Sequence, residues 1–518
     1  MFWTTVDESY QFPVSVTPEL DAALVKELKK CRAREKKLLS RYEKAVASGV
    51  TSKINSAAEE YLFSKAVRFA LAVGVNKQFP AYERLSLQEL HELAEGLSLY
   101  KPINELVTPL RLAKKSGGFR VVSAFGQAYC TAHQMVINLL TPHFHALPFQ
   151  YERCGLGGVY RAVCDLRDLV SQGYVYVNHL DVKEFFPSFK EEGLMQELPL
   201  PEAVVRYAVM GRHMNIKLSK KEMKHTHTMS EIVTQAHRGI AQGAASSPLV
   251  GAMIISRLKW VMPKTIRLIS YVDDFYLIAK NADDLKNAAD ALRTAFKVLS
   301  GGPFVLRSKS KHTAEGGILI LGHLLELNGD KIVITTSNAN ADIADERFEK
   351  LYKHAELFAQ NYAKLKMKNH PGDECEKMKW LAYDAIARMI GYTASWAHTF
   401  KLCEDVPETL KAWKFGFADP LIELCGFDKG EIEKKAKKLG GWWWGVYGDH
   451  QEETTPHIHA PTYICGRAAM CNQPRPTALQ FQGPFLHPGM QLPPTAAIWS
   501  LLQNSELSHP SATKEPRP

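Results

Sequence analysis

The stretch Tyr271-Val272-Asp273-Asp274 decides how this chain is understood, because it places two acids between two apolar runs. The runs Ile266–Ser270 and Phe275–Ala279 have the length and composition of β-strands, and the acids fall at the tight turn between them. Paired carboxylates at a hairpin tip suit Mg²⁺, which takes oxygen ligands and keeps room for substrate phosphates. Two metal ions about 4 Å apart clamp an in-line phosphoryl transfer, which needs a further carboxylate from another strand. The simpler alternative is a solvated Asp-Asp turn.

Length and composition indicate a large, mildly basic protein of several domains. Its 518 residues are 46% hydrophobic and carry a formal net charge of +9, which is compatible with a polyanionic partner. The nine cysteines are scattered without a Cys-x-x-Cys pair, which favours free thiols in a reducing compartment. Because no apolar run approaches about 18 residues and the N-terminus lacks the order of a signal peptide, we expect a cytoplasmic protein without a membrane span.

The texture of the sequence divides the chain into four regions. Residues 1–99 are expected to be helical, with the capping signal Thr17-Pro18-Glu19 at the start of the first helix. Residues 100–330 combine strand and helix patterns, and residues 331–445 have the Glu, Lys, Ala and Leu content of helices. Residues 446–518 are rich in Pro and Gly, and we expect a loosely structured tail there.

Asp181 supplies the further carboxylate, since it ends the apolar strand predicted over Tyr174–Leu180. A third element is Ala241-Gln242-Gly243, which is followed by small residues and by Ser247-Pro248. This thin backbone wall suits a flat base pair, with a helix from about Pro248 packed behind it. A loop that simply enters a buried helix is the bland alternative.

A basic hairpin precedes these elements. The runs Pro109–Ala113 and Phe119–Ser123 flank Lys114-Lys115-Ser116-Gly117-Gly118, which predicts a β-hairpin with a basic, glycine-bearing tip.

In this order, the elements resemble motifs A, B and C of reverse transcriptases. Motif A is matched by Asp181 with Phe186 five residues on, motif B by Gln242-Gly243 with Ser247-Pro248, and motif C by Tyr271-x-Asp273-Asp274. The resemblance is to the bacterial group that includes group II intron and retron enzymes. The helical region and tail that follow are most similar in layout to the defence-associated "unknown group" enzymes.

Two further stretches extend the resemblance over roughly residues 100–330, about half of the chain. Leu321-Gly322-His323 resembles the primer-grip turn, and the hairpin 109–123 resembles the fingers hairpin. The fold that the resemblance implies is α+β, a right-hand polymerase with fingers, palm and thumb and an additional, mostly α-helical C-terminal domain. The start of motif B departs from the family, since Ala241 stands where a proline is common.

The resemblance implies roles for individual residues. Asp181 and Asp273 would hold two Mg²⁺ ions (Mn²⁺ is an alternative), the Val182 carbonyl would add a ligand, and Asp274 would act less directly. The residues implied to contact the incoming nucleotide are Lys114, Lys115, Arg120, Phe186, Gln242, Gly243, Lys309 and Lys311. Either Lys309 or Lys311 would be the motif D lysine that protonates pyrophosphate, and a solvated basic strand is the alternative.

Phe186 bears on the sugar of the nucleotide. A bulky aromatic side chain beneath the sugar leaves no room for a 2′-hydroxyl, so the resemblance favours dNTPs over rNTPs. The alternative is that Phe186 simply belongs to the core.

A basic run and three tryptophans near the end of the helical region form a candidate RNA-binding edge. They are Lys434, Lys435, Lys437, Lys438, Trp442, Trp443 and Trp444. Lysines bind phosphates and flat aromatics stack on unpaired bases. The alternative is that the tryptophans pack a domain and the lysines form a solvated helix face.

The function implied is that of an RNA-directed DNA polymerase in bacterial antiphage defence. Its partners would be an RNA template, a dedicated structured non-coding RNA, with dNTPs as substrates and DNA as product; a homo-oligomer is compatible with this. Alternatives are template-independent or homopolymer DNA synthesis at the same site, an RNA-dependent RNA polymerase, which Phe186 opposes, and a retired polymerase kept as an RNA-binding scaffold.

Overall fold

The computed structural model describes residues 3–7, 10–13, 18–79, 83–113, 118–152, 158–219, 226–368 and 372–438. Helices and strands are mixed along the chain, which agrees with the predicted α+β class. The layout as fingers, palm and thumb and the division into four regions stay predictions.

The strands are β1 (Trp3–Asp7), β2 (Tyr10–Pro13), β3 (Leu106–Ala113), β4 (Phe119–Ala124), β5 (Tyr176–Val182), β6 (Asn215–Ile216), β7 (Ile266–Tyr271), β8 (Asp274–Ala279), β9 (Leu306–Thr313), β10 (Ile318–Ile320), β11 (His323–Asn328) and β12 (Lys331–Thr336). The helices are α1 (Pro18–Ser48), α2 (Thr51–Phe63), α3 (Lys65–Asn76), α4 (Leu87–Gly96), α5 (Gln127–Leu140), α6 (Gly158–Ser171), α7 (Phe185–Ser188), α8 (Glu191–Glu197), α9 (Glu202–Val204), α10 (Thr226–Ala236), α11 (Ser247–Ile255), α12 (Ala282–Lys297), α13 (Asn338–Met367), α14 (Asp373–Thr399), α15 (Val406–Trp413), α16 (Asp419–Cys425) and α17 (Lys429–Lys438).

The central sheet is antiparallel and has the strand order β7-β8-β5-β9. Side chains alternate between its faces, as the strand geometry requires. Leu180 and Phe275 lie on the face that packs into the larger apolar core, together with α11 and α12. Asp181 and Asp274 pair directly across β5 and β8 and lie on the opposite face. We call this opposite face the acid face.

The predicted strand over Tyr174–Leu180 forms two residues later in the chain than expected. It is β5, so Asp181 and Val182 are its last residues rather than the start of the following turn. The ladders to β8 and β9 continue through Asp181, which explains why the strand does not end before it.

The hairpin of β3 and β4 confirms the pattern seen around its basic tip. Its register runs from Thr108 opposite Ala124 to Ala113 opposite Phe119, and β6 adds a short parallel strand to β3. Lys114 and Lys115 lie outside the described residues.

Helix α5 follows this hairpin and is buried along most of its length. Its start is fixed by Glu105, whose carboxylate accepts the backbone N–H groups of Ala128 (2.9 Å) and Tyr129 (3.0 Å). An acid at a helix N-terminus satisfies orphan N–H donors and complements the helix dipole. Glu105, the residue before β3, therefore connects the hairpin to the start of α5.

Residues after the central sheet form a second sheet and a helical region. Strands β10, β11 and β12 form an antiparallel sheet, so the region from Lys331 begins with a strand before it becomes helical. Helices α13 and α14 then pack against each other, and the smaller helices cover them. Their apolar side chains share a second core with the acid face of the central sheet.

In the described part of the chain, no helix combines the length and apolar character that crossing a membrane requires.

Candidate active site

The two-residue turn between β7 and β8 holds Val272 and Asp273, because Tyr271 pairs with Asp274. Val272 has a φ of 58°, which is unfavourable for a β-branched residue. The turn is tied to the neighbouring strand, since the Val182 N–H donates to the Asp273 carbonyl at 3.0 Å. Strained backbone of this kind persists where the surrounding structure holds it in place. The end of β5 and the acid-bearing turn therefore form one rigid unit.

Asp181 and Asp274 are both buried, with 7% and 1% exposure. Arg307 binds Asp181, with 2.9 Å between its Nε and Asp181 Oδ2. Lys309 Nζ lies 3.2 Å from Asp274 Oδ1 and 3.8 Å from Asp181 Oδ1. Cations from β9 therefore lie beside both paired acids. We call Asp181, Asp273, Asp274, Arg307 and Lys309 the acid cluster.

His179 and Tyr276 extend the acid face away from the turn. His179 Nε2 lies 2.5 Å from Asp274 Oδ1, and the His179 ring stacks on Tyr276 with centroids 4.3 Å apart. Burial and the nearby Asp274 raise the pKa of Tyr276 well above its usual value, so its hydroxyl stays protonated. The N–H of Leu321 donates to that hydroxyl at 3.4 Å. Asp274 is thereby connected to the turn that resembles a primer grip.

A bulge in β9 puts the two candidate lysines of motif D on different faces of the sheet. The pairing of β5 with β9 shifts register between His179 and Leu180, which leaves Lys309 as the extra residue. A bulge re-aims side chains, and Lys309 consequently reaches the acid face. Lys311 pairs with Asn178, on the other face of the sheet. The sequence left this choice open, and the geometry favours Lys309.

Arg120 in β4 brings the fingers-like hairpin to the acids. Burial lowers the pKa of Arg120, and the Asp273 carboxylate partly opposes this effect. Its Nε is buried without a hydrogen-bond partner among the described residues. Arg347, in the first part of α13, is also close enough to lower the Arg120 pKa. Strand β4, the turn after β7 and helix α13 therefore come close together, and they contribute Arg120, Asp273 and Arg347.

The loop of motif B is held against the same hairpin. The Ser123 N–H donates to the Gln242 carbonyl at 2.7 Å. Gly243 has a φ of +106°, and a Cβ there would come within 2.4 Å of the Ser123 carbonyl oxygen. Only glycine suits that backbone conformation and that close approach. This explains the glycine at position 243. The helix predicted behind the loop is confirmed, since α11 begins at Ser247.

Phe186 is buried, with 4% exposure, and belongs to the larger apolar core. Its carbonyl accepts the Ile240 N–H at 3.1 Å, which connects Phe186 to the segment that leads into Gln242. A core role is therefore shown for Phe186, and its position next to the motif B loop leaves the predicted sugar-selecting role as a prediction.

The donor set fits a hard divalent cation. Three carboxylates and the backbone carbonyls beside them are oxygen ligands, which Mg²⁺ prefers. Among the described residues, no group of three or more His, Cys, Asp or Glu side chains is arranged as a ready metal site. His179 and Lys309 contact Asp274, and Arg307 contacts Asp181, so a metal ion would have to displace cations from both buried acids. The two-ion assignment stays a prediction.

The structure describes only part of the expected RNA-binding edge, and Lys435 in that part is buried. Lys435 is 4% exposed and lies 3.1 Å from Asp384, so it is a buried partner of an acid rather than a surface contact for phosphates. Lys434 is exposed and lies 3.8 Å from Glu431. The side chains of Lys437 and Lys438, and all of Trp442, Trp443 and Trp444, lie outside the described residues.

Sequence reasoning missed three residues of the acid face, which are His179, Tyr276 and Arg307. His179 was detectable, because it precedes Asp181 by two positions and strand alternation puts both on one face. Tyr276 follows Asp274 by two positions for the same reason. Arg307 has no such signal, since only the pairing of β9 with β5 places it opposite Asp181.

Comparison with known proteins gives distant structural neighbours only. No protein-family model and no curated protein matches the sequence. The apo telomerase of Candida tropicalis is 12% identical, with 64% of each chain covered and a TM-score of 0.30. The telomerase of Candida albicans in complex with a fragment of telomeric RNA is 13% identical, with 64% of this chain and 66% of that chain covered and a TM-score of 0.27. The Sicinivirus 3Dpol RNA-dependent RNA polymerase is 10% identical, with 65% and 71% covered and a TM-score of 0.27.

The chain thus spans slightly less than two thirds of the length of the two telomerases. At these TM-scores the similarities decide neither the layout of the fold nor the activity. The functional conclusion depends on the geometry of the acid face.

Proposed function

We propose that the protein is an RNA-directed DNA polymerase that extends a 3′-hydroxyl with dNTPs. The observation that carries the proposal is the direct pairing of Asp181 with Asp274 beside the Asp273 turn. Acids from two strands on one face, with cations beside them, suit two-metal phosphoryl transfer.

Each residue of the acid face has a task in this reaction. Asp181 and Asp273 would hold the metal ions, whose chemistry lowers the pKa of the attacking hydroxyl and stabilises the leaving pyrophosphate. Lys309 donates a proton to the pyrophosphate oxygen as the bond to the α-phosphate breaks, a role supported by its Nζ lying 3.2 Å from Asp274 Oδ1. Arg120 stabilises negative charge on the triphosphate, and His179 holds Asp274 in place.

The choice of substrate and template is part of the proposal. Phe186 beside the motif B loop favours a 2′-deoxy sugar, and the ordered motifs favour an RNA template. A dedicated non-coding RNA and a role in antiphage defence extend the same proposal, supported by the resemblance of the overall layout.

The test is synthesis by the full chain, purified together with the RNA that it binds. We expect DNA from added dNTPs and Mg²⁺, with a sequence complementary to that RNA. The double variant Asp273→Ala/Asp274→Ala should lose synthesis by at least about 1,000-fold and keep its RNA. DNA with no complement in the bound RNA would indicate untemplated synthesis, and DNA from the double variant would refute the assignment of the acids.

A further inference from the structure

Helix α1 carries a line of exposed cations that the proposed active site does not use. Six of its exposed Lys and Arg residues recur every three or four positions, at Lys26, Lys30, Arg34, Lys37, Arg41 and Lys44. At about 100° per residue, these positions fall within an arc of about 80° on one side of the helix. With a rise of about 1.5 Å per residue, the line is about 27 Å long. We call these residues the basic stripe.

The helix presents the basic stripe rigidly, because its opposite side is buried. Leu28 and Tyr42 are 1% and 0% exposed. The Tyr42 hydroxyl donates to the Leu139 carbonyl at 3.0 Å and lies 2.9 Å from His143 Nε2. The helix is therefore anchored to α5, which is buried along most of its length.

The basic stripe keeps its positive charge at the surface. Between Lys26 and Lys44, no acid of α1 falls inside the same arc. Glu60 of α2 accepts a hydrogen bond from Arg34 at 2.7 Å and also pairs with Arg41. The two arginine side chains nevertheless remain 48% and 60% exposed, so they are open to a polyanion.

An exposed aromatic pair lies beside the basic stripe. Phe63 is 61% exposed and stacks on Tyr100, with centroids 4.8 Å apart and planes 9° from parallel. Phe63 follows Glu60 by one helical turn on the same side of α2, so their Cβ atoms are about 5–6 Å apart. Since Glu60 binds Arg34, the aromatic pair adjoins the cations. An exposed Phe is costly in water, and stacking with an unpaired base removes that cost.

We propose that the basic stripe and the Phe63–Tyr100 pair form a track for single-stranded RNA. The cations bind successive phosphates, and an unpaired base stacks on Phe63. This deepens the proposed function, because it takes the RNA partner from that function and gives it a path on the N-terminal helices.

The first test neutralises the lysines of the basic stripe. The variant Lys26→Gln/Lys30→Gln/Lys37→Gln/Lys44→Gln is titrated against a single-stranded RNA of mixed sequence, about 20 nucleotides long, at several salt concentrations. We expect about 100-fold weaker binding at low salt. The slope of log K against log salt should shrink by about 3, since each phosphate contact contributes about 0.7.

The matched control removes equal charge elsewhere, in Lys259→Gln/Lys264→Gln/Lys286→Gln/Lys297→Gln, at lysines that are also exposed. It should bind RNA as the wild type does, and an equal loss in both variants would show that only net charge matters and overturn the proposal. A second variant, Phe63→Ala, should weaken binding about tenfold without changing the salt slope, because stacking involves no counterion release. Unchanged binding in both Phe63→Ala and the stripe variant would show that the surface is merely solvated.

The outcomes separate this inference from the proposed function. If RNA binding depends on the basic stripe but the wild type makes no DNA, the polymerase assignment is wrong and the RNA track is supported. DNA synthesis by the wild type, with RNA affinity unchanged in the stripe variant, would keep the polymerase and overturn the track.

Discussion

Two clusters of buried charge in the described part of the chain are built in opposite ways. In the acid cluster, buried Asp181 and Asp274 bind Arg307 and Lys309, whose side chains are 59% and 40% exposed. The other cluster lies between the N-terminal and C-terminal helices and has Asp384 at its centre. We call it the junction cluster.

In the junction cluster a buried acid binds several cations. Asp384 lies 3.0 Å from Arg84, 2.7 Å from Arg388 and 3.1 Å from Lys435. Burial alone raises the pKa of Asp384, but these cations outweigh it and hold the pKa well below its usual range. Arg388 also donates to the Phe79 carbonyl at 2.5 Å, which joins α14 to the chain that follows α3.

The difference lies in what the cations can do when they lose their acid. Arg307 and Lys309 reach solvent, so they can leave the acids when a metal ion or nucleotide arrives. The Arg84 and Lys435 side chains are 2% and 4% exposed, so they have no alternative solvation. Exchangeable partners suit a reaction site, and enclosed partners suit a joint between domains.

The largest expected effect is on stability and separates the two clusters directly. Asp384→Ala should lower the free energy of unfolding by about 3–5 kcal/mol, because it leaves buried cations uncompensated. Asp181→Ala should lower it by less than about 1 kcal/mol, since its partners are solvated in its absence. Urea unfolding followed by circular dichroism measures both, and equal losses would contradict the comparison.

The next effect concerns which cation of β9 takes part in the reaction. Lys309→Ala should lower kcat about 100-fold, because it removes the proton donor to pyrophosphate. Lys311→Ala is the matched control on the other face of the sheet and should stay within about twofold of the wild type. Single-nucleotide incorporation at saturating dNTP measures both variants. The reverse order would assign the proton donor to Lys311 and contradict the role of Lys309.

The smallest effect comes from removing a buried cation of the junction cluster. Burial lowers the pKa of Lys435 to about 8, so below that pH the folded protein holds a charge that burial disfavours. Lys435→Met should therefore raise the free energy of unfolding by about 1 kcal/mol at pH 7. The unfolded chain binds the proton more tightly, so the wild type gains stability as the pH rises above about 8, and the advantage of the variant shrinks. An advantage that grows with pH in thermal melts would contradict this sign.

The sequence predicted the parts of the acid face that depend on local pattern. The hairpin around Asp273, the strand that carries Asp181 and the helix from Ser247 follow from alternation and turn chemistry, and the structure contains all of them. Two details differ from the prediction. Strand β5 lies two residues later because its neighbours pair with it through Asp181. Asp274, predicted to lie in the turn with Asp273, is instead the first residue of β8, because it pairs with Tyr271.

The remaining features depend on contacts between distant parts of the chain. Arg307 gains its role only by lying opposite Asp181, and Lys309 only through a bulge that no local pattern marks. Lys435 stands in a run of lysines typical of a solvated helix, yet Asp384 and two arginines surround it. Strand register and burial depend on contacts between distant residues, so the local sequence around Arg307, Lys309 or Lys435 does not predict them.

The direct pairing of Asp181 with Asp274 has a consequence for how this chain tolerates change. If β8 slipped by one residue against β5, Asp274 would enter the apolar core and Phe275 would take its place among the acids, because strand side chains alternate. A one-residue insertion or deletion within either strand would therefore abolish the site even if every acid were retained. Among natural variants, we expect length changes to fall in the loops around the central sheet and to spare these two strands.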